Sequence, residues 1–457
     1  MDKTINQIKS VKSSITLPGD NAISHRAALI ASLCEKPVEI KNFATGKECA
    51  VTLDCLKRLG VEMEINEKTL IIRGKGLAGM SQPEGPLDVC GSIPTARMIC
   101  GILSSLNVES EVVGCKTIAN LPMRRVIEPL ELMGAEITSN NFKLPLKING
   151  GKLTGIRYAM PVSTAQVKAM LLMAGLNADG KTEIIERIPS RDHAERLLAY
   201  YGIKMKKSRV EPQPSNEDPL IKRFKKESGI VSPDIKGDMI SIRGGQKLNP
   251  KPITIPGDIS VASYFLVAGL LLKNSVVEVK DVSLNPRRLG FVEVLKKMKV
   301  PITVDQKGDM GFEPYGNIQI QSTEIKGRRM VGELIPSIIN ELPVMSIVAA
   351  NAQGTSVIRD AFELRQQKVD RIKSIATNLR KMGMKVGELD DGLAIDGGGG
   401  LVGAEIESFD DPTIAMSFAV AGLLAEGTTV IKDAECVDYE YPGFWDDFDR
   451  FTAGESF

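Results

Sequence analysis

Residues 17–33 read LPGDNAISHRAALIASL, and residues 255–271 read IPGDISVASYFLVAGLL. Each sets a Pro-Gly-Asp turn, Pro18-Gly19-Asp20 or Pro256-Gly257-Asp258, before an apolar, Ala-rich run of helical length. Four further segments share the pattern of a turn followed by such a helix: CGSIPTARMICGIL from Cys90, MPVSTAQVKAMLLMAGL from Met160, IPSIINELPVMSIVAA from Ile335 and DDPTIAMSFAVAGLL from Asp410. Successive copies start roughly 70–95 residues apart, the spacing of a repeated supersecondary unit, and six copies account for nearly the whole chain. A Gly in a turn of this kind takes a positive φ at little cost, which is the expectation for Gly19 and Gly257.

Each apolar helix is followed by a β-branched run of period two, such as Val38-Glu39-Ile40, Glu111-Val112-Val113, Val276 to Val279 and Thr429-Val430-Ile431, which reads as a half-buried strand. Most copies continue into a second, charged helix and a further strand. The charged helices are expected at Val51 to Leu59, Arg124 to Met133, Ala194 to Tyr201, Phe291 to Met298 and Asp370 to Met382, several closed by a Gly. Six βαβαββ-like units imply an α/β protein of two domains with three units each. The Pro-Gly-Asp turns divide them into 18–253 and a discontinuous second domain of 1–17 with 254–457. The first helix of each unit is apolar all round and is expected to be buried. Such helices grouped together would turn their N-termini to one face, a favourable place for anions. Residues 206–238 break the pattern; polar and Pro-containing, they read as a surface excursion and a candidate ligand-binding lid.

Composition bounds the function. At 457 residues the chain exceeds one core. Its 58 Lys+Arg and 57 Asp+Glu leave a net charge of +1, which offers no attraction to nucleic acid or an anionic membrane. No run of about 18 uncharged apolar residues occurs, so no membrane span is expected. Seven Cys without a CxxC pair read as reduced thiols of a cytoplasmic protein, and with only two His no metal site is expected.

Beyond these patterns the chain resembles the 5-enolpyruvylshikimate-3-phosphate synthase family along nearly its whole length. Pro18 to Arg26 is similar to the family's PGDKSISHR, Thr164-Ala165-Gln166-Val167-Lys168 to its SAQVK, and Ser190-Arg191-Asp192-His193 to its SRDH. PMRRVIEPLELMGAEI from Pro122, ELIPSIINELPV from Glu333 and YPGFW from Tyr441 match as well. The resemblance implies two inverse α/β-barrel domains of three βαβαββ repeats each, the enolpyruvyl transferase fold, with a small anionic substrate in the interdomain cleft. It implies transfer of the enolpyruvyl group of phosphoenolpyruvate to the 5-hydroxyl of shikimate 3-phosphate, without cofactor or metal. A monomer without nucleic-acid or membrane partners is the accompanying expectation.

Carried over residue by residue, the side that holds shikimate 3-phosphate is kept in part: Arg26, Ala165, Gln166 and Arg191 match the family's motifs, and Thr164 replaces the serine of SAQ as a hydroxyl. The phosphoenolpyruvate side departs from them. Asn21 and Ala22 stand for the Lys-Ser of PGDKS, and Ile93-Pro94 interrupt the loop read GNSGTTAR in the family. Leu121 replaces an arginine, Pro412-Thr413 replace His-Arg, and Tyr439-Glu440 stand where some members supply a lysine, while Arg97 and Arg371 survive. At the proton-transfer positions the family's IDE is Ile339-Asn340-Glu341, and its RVKESDR runs from Arg365 to Arg371 with Gln367 for the lysine and Lys368 for the glutamate. An amide cannot take up a proton at neutral pH, so Asn340 positions rather than deprotonates. Asn340, Glu341 and Lys368 are the candidate catalytic residues, with Gln367 beside the substrate.

Three readings follow. The first in order of expectation is an enzyme on this fold that takes a shikimate-like or cyclitol-like anionic ring through chemistry altered from enolpyruvyl transfer. The second is enolpyruvyl transfer itself, and the third a member that binds ligand without turnover.

Overall fold

The computed structural model describes residues 1–211 and 236–457. Its strands form six sheets that repeat one pairing scheme. In the second repeat, Leu87–Asp88 runs parallel to Glu109–Val113, which pairs antiparallel with Lys143–Asn149, and that strand pairs antiparallel with Glu136–Asn140. The apolar helix Ile93–Leu103 connects the two parallel strands, since a parallel pair needs a crossover. The sixth sheet has three strands, Glu405–Glu407 parallel to Thr428–Lys432 and Lys3–Asn6 antiparallel to it, so the N-terminal strand completes the last repeat.

At the two Pro-Gly-Asp turns the scheme is exchanged. Lys12–Thr16 leads into the helix Asn21–Ser32 but pairs with Val276–Ser283, and Ile253–Thr254 leads into Ile259–Leu271 but pairs with Val38–Lys41. Each edge strand therefore stays with one half of the chain while the following helix enters the other. Two units result: Met1–Asp20 with Ala44–Lys47 and Pro256–Phe457, and Asn21–Phe43 with Glu48–Ile255. Neither Gly19 nor Gly257 takes the expected positive φ. The two bridge one another in antiparallel fashion, which requires extended backbone. Positive φ appears instead where the charged helices close, at Gly60, Gly134, Gly202 and Gly383.

The apolar helices are buried on nearly all sides, as in Ile259–Leu271 and Pro412–Leu424. In the first unit the helices Ile259–Leu271, Leu342–Asn351 and Pro412–Leu424 pack pairwise, and in the second Ile93–Leu103 packs on Asn21–Ser32 and Ala165–Leu176. Each fully buried aliphatic side chain adds about 1.5–3 kcal/mol, which makes these helices the main source of cohesion. Contact between Ile93–Leu103 and Ala165–Leu176 depends on Gly101, where an added Cβ would lie 2.4 Å from the Met170 carbonyl oxygen. We expect Gly101→Ala to destabilise the protein by about 1–3 kcal/mol despite its better helix propensity, because a backbone atom cannot yield. A lower urea midpoint would register this, and an unchanged one would contradict the packing.

The fifth apolar segment departs from a single helix. Gly332–Ile338 and Leu342–Asn351 meet at a bend of 114° with Asn340 and Glu341 in the corner. Pro343 opens the second piece, where a missing N–H costs nothing. No single helix among the described residues is long and apolar enough to cross a membrane. Of the 206–238 excursion, the two ends are strands, Met205–Val210 and Gly237–Arg243, paired antiparallel. The lid expectation falls on residues 212–235, outside the described residues.

Candidate active site

In the second unit the expected ring-binding residues lie around the starts of buried helices. Asn21 opens the helix Asn21–Ser32, and its Oδ1 accepts from Cys49 Sγ at 3.5 Å. Arg26, one turn on, is 3% exposed and donates from Nη1 to the Ala22 carbonyl at 2.7 Å. Thr164 holds the N-cap position of Ala165–Leu176 in extended backbone, so Ala165 and Gln166 occupy its first turn. Arg97 donates to Gln166 Oε1 at 2.8 Å, which joins the two neighbouring helix starts.

The segment that carries Arg191 is tied to the helix Ala165–Leu176 by a buried ion cluster that sequence reading missed. Lys168 Nζ lies 2.7 Å from Glu186 and 2.7 Å from Glu195, and 3.4 Å from the Ser190 carbonyl. Glu186 also accepts from the Ser190 hydroxyl, and the Ile188 N–H donates to Ser163 Oγ at 3.4 Å. The segment that carries Arg191 is thereby fastened to the helix that carries Gln166. Burial disfavours the Lys168 ammonium, but Glu195 and Glu186 outweigh it and its pKa is raised. One lysine inside MPVSTAQVKAMLLMAGL was the available signal, since an unpaired ammonium is not tolerated there.

A second hydrogen-bonded chain supports the helix start at Ile93. His25 Nδ1 lies 2.7 Å from Thr52 Oγ1, Thr52 2.6 Å from Thr95 Oγ1, and Thr95 2.7 Å from Ser92 Oγ, which caps Ile93–Leu103. This buried chain accounts structurally for His25. Ile93 and Leu121 stand at their expected places, Ile93 half-buried and Leu121 buried.

In the first unit the candidate residues form two clusters. Asp370 caps Arg371–Lys381 and so places Arg371 at its first position. Arg371 grips Asp411 with two N–H groups, Nε–Oδ2 at 2.8 Å and Nη2–Oδ1 at 3.1 Å, and donates to Thr413 Oγ1 at 3.0 Å. Asp411 in turn caps Pro412–Leu424, where Pro412 fits the first helical position. Burial works against the Arg371 charge, yet Asp411 more than offsets it and the pKa is raised. Lys368 pairs with Asp410 at 2.5 Å and lies 5.7 Å from the centre of the Tyr439 ring. Gln367 donates to the Glu363 carbonyl at 3.5 Å. Both cations of this cluster are thus matched by carboxylates of residues 410–411.

The other cluster surrounds Glu341 and centres on Arg288, which was not among the expected residues. Arg288 is 1% exposed and lies 2.9 Å from Asp20, 3.6 Å from Asp258 and 3.9 Å from Glu341. Ser260 accepts from Arg288 at 2.7 Å and donates to Glu341 Oε1 at 2.5 Å. Asp258 caps Ile259–Leu271, so both Pro-Gly-Asp turns meet one guanidinium. Tyr264 connects the clusters electrostatically: burial, Glu440, Asp411 and Glu341 hold its hydroxyl far above its usual pKa against the pull of Arg371. Among the described residues no group of three or more His, Cys, Asp or Glu could hold a metal ion.

Comparison with known proteins shows the family. The family described as EPSP synthase (3-phosphoshikimate 1-carboxyvinyltransferase) matches residues 5–234 and 212–448. A 3-phosphoshikimate 1-carboxyvinyltransferase of Thermoanaerobacter sp. strain X514 is 40% identical over 451 residues, 98% of this chain and 100% of the relative. Its counterpart in Bacillus cereus strain B4264 is 38% identical over 454 residues, 99% of either chain. Among solved structures, EPSP synthase from Acinetobacter baumannii aligns with a TM-score of 0.82 at 33% identity over 98% of both chains. The enolpyruvyl transferase NikO from Streptomyces tendae aligns at 0.75 and 15% identity over 98% of this chain and 96% of its own, a likeness of fold.

Proposed function

The chain belongs to the EPSP synthase family, and on that premise we propose that it is a transferase acting on a shikimate-phosphate-like or cyclitol-like anionic ring by chemistry altered from enolpyruvyl transfer. In this reading Arg26 and Arg191 hold the anionic groups of the ring, and Thr164 and Gln166 bond its hydroxyls with Ala165 allowing close approach. Gln367 adds an amide contact. Lys368 is the proton donor, Glu341 the acceptor through its Oε2, and Asn340 orients a hydroxyl.

The observation that carries the altered chemistry is the pairing of Arg371 with Asp411. Arg371 already spends Nε and Nη2 on Asp411 and Thr413, so its charge is largely balanced within the protein and attracts a second carboxylate less than a lone guanidinium would. On the phosphoenolpyruvate side Arg97 and Arg371 are retained and Asn21 is a substitution for lysine, and Lys368 is neutralised by Asp410. The second reading is unaltered transfer from phosphoenolpyruvate to shikimate 3-phosphate; full-length identity of 40% to a 3-phosphoshikimate 1-carboxyvinyltransferase favours it. We further propose that 18–253 and 1–17 with 254–457 are the functional domains, and that the protein works as a cytoplasmic monomer without cofactor, nucleic acid or membrane.

Titration calorimetry with shikimate 3-phosphate, and phosphate release after adding phosphoenolpyruvate, separate the readings. Our proposal expects binding of the ring ester without phosphate release. Arg26→Ala should weaken that binding by at least about 30-fold, the equivalent of roughly 2 kcal/mol for a lost charged contact. Asn340→Asp alone should not start release. Robust release by the wild type would instead establish the second reading.

A further inference from the structure

We propose that Cys90 and Cys115 form a redox-modification site in which a hydroperoxide converts the two thiols into an intrachain disulfide. The placement follows from the second sheet. Leu87 pairs with Val112 and Asp88 with Val113 in parallel register, and the Val89 N–H donates to the Val113 carbonyl at 2.9 Å. Carried two steps beyond the paired residues, the same offset brings Cys90 opposite Cys115. Neighbouring strands lie about 4.8 Å apart, inside the Cα window of a disulfide. The Cys115 side chain is turned toward residue 90, since its Sγ lies 3.2 Å from the Cys90 carbonyl oxygen and 2.8 Å from Thr117 Oγ1.

Access separates this pair from the other cysteines. Cys90 is exposed and Cys115 half-exposed, whereas Cys34, Cys49, Cys55, Cys100 and Cys436 are buried. Burial also pushes the thiols of Cys34, Cys55, Cys100 and Cys436 up to about 12, which suppresses the reactive thiolate. The backbone at Cys90 is held in the left-handed region, φ 41°, where its N–H donates to Asp88 Oδ1 at 2.8 Å. Cys90 therefore sits in a fixed turn rather than on a loose tail. That turn leads through Gly91 into Ser92, the cap of the helix that carries Arg97. A bridge would tie the entry of this helix to the strand that follows it.

The chemistry proceeds in two balanced steps. The Cys90 thiolate attacks the outer peroxide oxygen, an S–O bond forms as the O–O bond breaks, and the departing alkoxide or hydroxide takes up a proton. Cys115 sulfur then attacks the Cys90 sulfenic acid; the S–S bond forms, the S–O bond breaks, and hydroxide leaves as water with the Cys115 proton. Two electrons pass from the thiol pair to the hydroperoxide, and a dithiol reductant reverses the change.

The test treats the full chain with one equivalent of hydrogen peroxide, alkylates the remaining thiols with iodoacetamide and maps tryptic peptides. Peptide 76–97 contains Cys90, and peptide 98–116 contains Cys115 and Cys100. The expected product is a cross-link of these peptides that fragmentation assigns to Cys115. It should vanish with dithiothreitol and be absent from Cys90→Ser and Cys115→Ser, while Cys100→Ala retains it. A sulfinic acid on Cys90 without cross-link, a bridge to Cys100, an interchain dimer, or no loss of thiols would each overturn the proposal.

Discussion

Replacing Arg288 with alanine is expected to destabilise the protein by about 3–5 kcal/mol, the usual cost of removing one partner from a buried ionic cluster. Arg288 is surrounded by Asp20, Asp258 and Glu341, all of them buried. Burial works against the charge at this point, yet these carboxylates outweigh it and raise the pKa. Without Arg288 three buried carboxylates lose the guanidinium that they share. The effect extends beyond the charge, because Asp20 and Asp258 end the two turns at which the edge strands are exchanged. Urea unfolding followed by circular dichroism measures the loss. Lysine at 288 should recover only part of it, since an ammonium cannot reach Asp20 and Ser260 with two separate N–H forks. If Arg288→Ala unfolds with the wild-type midpoint, the cluster does not hold these turns together.

Lys168→Met carries the second large effect, again about 3–5 kcal/mol, for the same physical reason. Glu186 and Glu195 would be left buried with a single hydroxyl and a backbone N–H from Ser190 between them. Adding Glu186→Gln and Glu195→Gln to Lys168→Met should restore a large part of the stability, because the uncompensated charges are gone. A merely steric role for Lys168 would show no such rescue. The pH dependence has a definite sign. The folded pKa of Lys168 is raised, so its contribution is complete below the unfolded value of about 10.4 and is lost as pH rises through the folded value. Wild-type stability should therefore fall on the alkaline side above about pH 10, and Lys168→Met should lack that part of the slope. Lys152→Ala is the control: Lys152 and Asp179 form a pair 83% and 69% exposed, which should leave the urea midpoint unchanged.

Much of the site was legible as residue identity and little of it as geometry. Within the second unit the structure joins Gln166 of the Thr164 motif to Arg97 and fastens the Arg191 segment to the same helix. What the sequence does not display is the internal pairing of charges. Lys368 and Arg371 read as groups available to a ligand, but they face Asp410 and Asp411, about 40 residues later in the chain. Partners that far apart in sequence follow no local periodicity. The same holds for Arg288 and Asp20, whose distance of 2.9 Å spans most of the chain length.

By itself the sequence determined the repeat, the six apolar helices and the strands that follow them, because period and composition are local properties that burial then selects. Only the tertiary structure decided three further things. The strands before the two Pro-Gly-Asp turns pair with partners more than 200 residues away, which keeps Gly19 and Gly257 extended. The fifth apolar segment bends by 114° and sets Asn340 and Glu341 in a corner. The remaining cations meet carboxylates from distant turns. Each of these depends on contacts between distant parts of the chain, where strand pairing and electrostatics in a dry interior outweigh the local preference of any single segment.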